Sequence, residues 1–102
     1  MSFEKAARVS DLSPGQGKLV EFKGKKIALF NIDGKFFAID DLCKHAGASL
    51  SQGQVEGKVV RCPKHGAQFD IFTGKALTSP ASDDVRCYKV MVTADEIFID
   101  IP

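Results

Sequence analysis

Apolar residues in this chain come in short β-prone runs separated at short intervals by turn signals. The run Ile27-Ala28-Leu29-Phe30-Asn31-Ile32 meets Phe36-Phe37-Ala38-Ile39 across Asp33-Gly34. An Asp-Gly pair between β-prone runs predicts a two-residue hairpin, because glycine accepts the positive φ that the turn demands. Lys18 to Phe22 alternates weakly and ends at Lys23-Gly24, and Val59-Val60 makes a short strand. Val85 to Val92 and Ile97 to Ile101 predict a terminal strand pair around Thr93-Ala94-Asp95-Glu96. No helical period develops. A single 3₁₀ turn or short helix is expected near Asp11-Leu12 or Asp40-Leu42, and loops rich in Gly, Ser and Pro are expected at 46–54 and 78–84. With no internal repeat and no linker, residues 1–102 form one all-β domain, a small antiparallel sandwich or barrel.

Size and charge narrow the function. A chain of 102 residues builds one compact domain. Its 14 basic and 13 acidic side chains balance, which leaves no electrostatic footprint for nucleic acid or for an anionic membrane. No stretch reaches the length of a membrane span, and Met1 to Arg8 lacks the apolar core of a signal peptide. Three cysteines give no even disulfide framework and point to a reducing compartment, so the expected location is the cytoplasm.

Candidate chemistry is confined to two places. Cys43-Lys44-His45 and Cys62-Pro63-Lys64-His65-Gly66 contain both histidines of the chain and two of its three cysteines. An isolated cysteine is usually a small buried hydrophobe, and an isolated histidine is usually a hydrogen-bonded core or surface residue. Four such residues in two glycine-flanked loops are poorly explained that way. Two thiolates and two imidazoles make a complete metal ligand set. Tetrahedral zinc accepts such a set, although zinc ligands commonly come as a cysteine pair and a separate histidine pair. Here each loop brings one of each.

The residues around the two motifs resemble the Rieske family. Gly47-Ala48-Ser49-Leu50 follows the first motif, and Gly66-Ala67-Gln68-Phe69-Asp70 with Thr73-Gly74 follows the second. The resemblance continues through Ala76-Leu77, Ser79-Pro80-Ala81 and the terminal strands. It is strongest toward the small Rieske-type 2Fe-2S ferredoxins of bacterial aromatic-ring-hydroxylating dioxygenase systems. It implies one 2Fe-2S cluster, with one iron on Cys43 and Cys62 and the other on His45 and His65. It also implies a two-loop cluster-binding subdomain at one end of the sandwich, with loops at about 43–52 and 62–70 and a proline loop at about 78–82 around Pro80. Gly47, Gly66 and Gly74 are expected to allow tight turns that aim amide N–H groups at the sulfides, and Asp70 is expected to end a turn.

Departures from the family pattern refine this picture. High-potential Rieske proteins carry an extra cysteine in each loop, joined by a disulfide, and this chain has Ala48 and Lys64 there. Those proteins also supply a serine and a tyrosine hydroxyl to the sulfur atoms, where this chain has Ala67 and Phe69. Fewer donors imply a potential at the bottom of the Rieske range of about −150 to +300 mV. Lys44 and Lys64 flank the ligands and form a candidate cationic rim. Cys87, in the alternating stretch Val85 to Val90, is expected to be a buried strand thiol.

The resemblance implies a soluble, monomeric one-electron carrier between a flavin-dependent ferredoxin reductase and a terminal oxygenase. It is not expected to be an enzyme, since no histidine remains for the mononuclear iron that hydroxylation requires. Two other readings stand beside it: an accessory subunit like the small subunit of nitrite reductases, and a zinc-stabilised binding module.

Overall fold

Strand β3, Lys25–Ile32, is buried on both faces from Ile27 onward, which places it at the centre of the molecule. The computed structural model describes residues 2–43, 48–64, 66–78 and 83–102. Along β3, Ile27 and Leu29 enter one apolar cluster, while Ala28, Phe30 and Ile32 enter another. A strand covered on both sides loses its polar alternation and becomes continuously apolar. That is the run seen in the sequence.

The sheet around β3 has the order β10-β4-β3-β2, where β2 is Gly17–Phe22, β4 is Lys35–Asp40 and β10 is Cys87–Tyr88. On one side lies a second antiparallel sheet, formed by β1 (Ser2–Arg8), β12 (Glu96–Ile101) and β11 (Val90–Thr93). Ala7, Ile97 and Ile99 from that layer pack with Val20, Ile27, Leu29, Ala38 and Tyr88. The opposite face of β3 and β4 is covered by two small antiparallel units. One is the hairpin β5-β6, Leu42–Cys43 and Ala48–Ser49, and the other is β7-β8-β9, Gln54–Glu56, Val59–Arg61 and Gln68–Asp70. Phe30, Ile39, Leu50, Val60, Phe69 and Ile71 form the core there. Full burial of a side chain such as Phe30 contributes about 1.5–3 kcal/mol by removing apolar area from water. The result is the expected all-β antiparallel architecture, with the two candidate loops carried on the small units.

Local chemistry explains the turns. Asp33 (φ 54°) and Gly34 (φ 89°) are both left-handed, and β3 pairs with β4 through Ile32 opposite Lys35, as the Asp-Gly signal predicts. Asn31 closes that turn by accepting the Gly34 N–H at 2.8 Å, and its own amide donates to the Leu12 carbonyl at 2.7 Å. Lys23-Gly24 makes the same kind of hairpin between β2 and β3.

Several expectations are corrected. The predicted strand from Val85 to Val92 divides: β10 pairs with β4 in the central sheet, and β11 pairs with β12 in the outer one. Cys87 is exposed rather than buried. Strand β10 lies at its sheet's edge, and Tyr88 is the side chain it sends into the core. Strand β1 has no counterpart in the sequence reading, since Ala7 is its one buried residue. Within the expected loop at 46–54, β6, a 3₁₀ turn at Leu50–Gln52 and the start of β7 are formed. A 3₁₀ turn lies at Val9–Asp11, beside one expected position, whereas Asp40-Leu42 joins two strands instead. Among the described residues no helix is long and apolar enough to cross a membrane.

Candidate metal centre

Both cysteines of the predicted ligand set stand at the mouth of a β-hairpin. Cys43 is the last residue of β5 and is paired with Ala48 of β6. Cys62 directly follows β8, and its N–H donates to the Ala67 carbonyl at 2.7 Å. In each hairpin the residue opposite the cysteine is an alanine, Ala48 for Cys43 and Ala67 for Cys62. Gly66 (φ 72°) closes the second loop by donating its N–H to the Cys62 carbonyl at 3.0 Å. This left-handed residue is the tight turn expected at Gly66.

Cys62 is buried in the apolar cluster between the central sheet and the β8-β9 hairpin, together with Ala67 and Phe69. An apolar wall limits water at the sulfur and lowers the local dielectric, the condition under which nearby charges tune a metal centre. Ala67 and Phe69 supply no hydroxyl. Pro63 and Lys64 are exposed at the tip of the same loop.

Of the predicted ligands, the backbone of Cys43 and the whole of Cys62 are described. His45 and His65 lie outside the described residues, as do Lys44, Gly47 and the proline-loop residues Ser79, Pro80 and Ala81. Among the described residues no other group of His, Cys, Asp or Glu forms a metal site. Cys62 is buried among apolar and small residues, and Cys43 ends the first strand of a second hairpin; hairpins that each bring one cysteine suit a centre of the 2Fe-2S type.

The flanks of the proline loop are tied to the second hairpin. Leu77 N–H donates to the Gln68 carbonyl at 2.8 Å, and Gln68 N–H donates to the Thr78 hydroxyl at 3.0 Å. On the far side, the Asp84 carboxylate accepts the Ala76 N–H at 2.8 Å, and Val85 N–H donates to the Gly74 carbonyl at 2.8 Å. Asp70 ends a turn as expected: its carboxylate accepts the Phe72 N–H at 2.8 Å, and its carbonyl accepts the Gly74 N–H at 2.7 Å. Lys58 pairs with the same carboxylate at 3.6 Å.

One residue at the site escaped the sequence reading. Asp41, two positions before Cys43, is 3% exposed and accepts from the Ser51 N–H at 2.8 Å and the Ser49 hydroxyl at 2.5 Å. An aspartate at a strand end looks like a turn residue. Only the pairing of Leu42 with Ser49 brings its partners beside it.

Comparison with known proteins agrees with this geometry. Residues 2–89 match the Rieske 2Fe-2S domain. The 3-phenylpropionate/cinnamic acid dioxygenase ferredoxin subunit of Escherichia coli (strain K12) is 44% identical over 98 residues, covering 95% of this chain and 92% of that protein. The ferredoxin in a complex of reduced oxygenase and oxidized ferredoxin of carbazole 1,9a-dioxygenase superposes with a TM-score of 0.90 at 33% identity, covering 95% of this chain and 91% of the other. A putative NADH-dependent nitrite reductase small subunit from Mycobacterium tuberculosis has a TM-score of 0.86 at 27% identity, covering 96% and 93%. The dioxygenase ferredoxins stand nearer in sequence than that subunit. With two cysteine-bearing hairpins on an antiparallel scaffold, this chain belongs to the Rieske 2Fe-2S family, an electron-transfer domain built around one 2Fe-2S cluster.

Proposed function

We propose that this chain is the ferredoxin component of a bacterial aromatic-ring dioxygenase system, a one-electron carrier between a flavin-dependent reductase and a terminal oxygenase. Cys43, His45, Cys62 and His65 are its ligands, and residues 1–102 act as one domain, a cytoplasmic monomer in which Pro80 covers the centre. The observation that carries this reading is the pair of cysteine hairpins beneath one apolar cluster, in a chain 44% identical to a dioxygenase ferredoxin. When bound, the 2Fe-2S cluster takes up and releases one electron at a time.

The chain's own residues prepare that exchange. The apolar wall around Cys62 excludes water from one side of the centre. Ala67 and Phe69 withhold hydroxyl donors, which keeps the potential low and suits a flavoprotein donor rather than a quinol. Electrons leave at the His45/His65 tip. Lys64 is exposed and adjoins His65 in sequence, and Lys44 adjoins His45 in sequence, so both charges fall within any footprint there. The encounter must be weak and short-lived for turnover.

A Lys44→Glu/Lys64→Glu double variant tests the docking tip. Rim charges act mainly on association rate and are screened by salt. The variant is expected to keep its iron yet reduce a terminal aromatic-ring oxygenase more slowly at low ionic strength, in stopped-flow mixing. The defect should shrink as salt rises. Equal rates for variant and wild type at low salt would move the docking face elsewhere, and failure of the wild type to reduce any such oxygenase would contradict the functional reading itself.

A further inference from the structure

Asp41 is the one buried carboxylate among the described residues and stands two positions before Cys43, and it ties together elements that the chain keeps apart. Its backbone N–H donates to the Lys26 carbonyl of β3 at 3.1 Å, and its carbonyl accepts the Leu50 N–H at 2.6 Å. Its carboxylate takes the Ser49 hydroxyl of β6 with one oxygen and the Ser51 N–H of the 3₁₀ turn with the other. The two serine hydroxyls lie 2.9 Å apart, which completes a closed polar clasp. Asp41 thus joins the central sheet, the returning strand of the first cysteine hairpin and the turn that follows it.

That turn in turn abuts the second cysteine hairpin. Gly53 donates its N–H to the Leu50 carbonyl at 2.9 Å and closes the turn. A Cβ at Gly53 would collide with the Arg61 carbonyl oxygen and press on the Val60 side chain. Arg61 immediately precedes Cys62. The contacts therefore run without a gap from the strand entering Cys43, through Asp41 and the Leu50–Gln52 turn, to the strand entering Cys62. The carboxylate's partners in this clasp are a hydroxyl and an amide dipole, which stabilise an anion without cancelling its charge. In a site of low dielectric, a fixed negative charge opposes the gain of an electron.

We propose that Asp41 is a positioning residue of the metal centre: its clasp holds the two cysteine hairpins in register, and its buried negative charge lowers the potential of the cluster they carry. This rests on the Rieske reading of the site. It adds a cause for low potential separate from the missing hydroxyls at Ala67 and Phe69.

The test compares wild type with Asp41→Asn and Ser49→Ala, each assayed for iron and acid-labile sulfide, thermal midpoint and reduction potential by voltammetry. Asp41→Asn keeps an oxygen for the Ser51 N–H and removes the charge, so the potential is expected to rise. Ser49→Ala keeps the charge and removes a dipole that offsets it, so the potential is expected to fall. Opposite shifts from two neighbouring substitutions would not arise from loosened packing alone. Should Asp41→Asn fail to retain its cluster, the direction for Ser49→Ala decides the tuning role. Lowered thermal midpoints with unmoved potentials in the variants would overturn the proposal and leave Asp41 purely structural. A wild-type protein without a two-iron cluster would overturn the cofactor reading as well.

Discussion

Tyr88 shows how a single side chain links strand pairing to pH. It is the one tyrosine of the chain, and its hydroxyl donates to the Asp40 carboxylate at 2.5 Å. Burial raises its pKa first, the Asp40 hydrogen bond and charge raise it further, and the Arg86 guanidinium opposes them. A group with a raised folded-state pKa stabilises the fold fully below its unfolded value, about 10 for tyrosine, and loses that contribution as pH rises through the folded value. Ultraviolet difference titration should therefore show no phenolate until pH has passed about 10. Ionisation at the ordinary tyrosine value in the folded protein would contradict the contact. Tyr88→Phe should cost about 1 kcal/mol at neutral pH and remove this alkaline dependence. Two other residues act through what they lack. Ala67 and Phe69 share the buried cluster of Cys62, so Ala67→Ser and Phe69→Tyr would each place a hydroxyl on the sulfur side of the hairpin. Voltammetry should show a higher potential for each. No upward shift from either, with the cluster intact, would show that the absence of these hydroxyls does not set the potential.

At the scale of the element, the turn after β9 is the sharpest constraint. Gly74 has φ 81°, and a Cβ there would run into the Val85 carbonyl oxygen. Gly74→Ala should therefore cost about 1–3 kcal/mol, read as a lower midpoint in chemical denaturation. It should also disturb the proline-loop flank, since Val85 N–H bonds to the Gly74 carbonyl. Gly57 is a useful control: its φ is 59° with open space around it, so Gly57→Ala should cost only the left-handed penalty of about 1–2 kcal/mol. Equal midpoints for Gly74→Ala and wild type would contradict the close approach. Elements of this kind were legible wherever the signal is local. The Asp33-Gly34 hairpin follows from two residues and their flanks. Strand β1 did not, because it is held by pairing with β12 while burying one alanine. The division of residues 85–92 was also hidden. Alternation continues through Val85-Arg86-Cys87-Tyr88, and nothing local records that the chain leaves one sheet for another, so Cys87 looked inward when Tyr88 is the buried one.

For the whole molecule, the central sheet does two jobs with its two faces. One face joins the β1-β12-β11 layer, and the other supports both cysteine hairpins, so the metal centre rests on the fold's main core. The Rieske family and its 2Fe-2S cofactor were readable from sequence because the residues around two short Cys/His motifs carry the resemblance. Asp41 was not, because its meaning depends on two carboxylate partners, Ser49 and Ser51, brought together by pairing. The central claim is that this scaffold carries one 2Fe-2S cluster on Cys43, His45, Cys62 and His65. Its most direct test is iron and acid-labile sulfide analysis of the purified protein beside His45→Ala and His65→Ala variants. The wild type should be red-brown with about two irons and two sulfides per chain, and both variants should lose normal cluster assembly. A colourless protein holding one tightly bound zinc would contradict it.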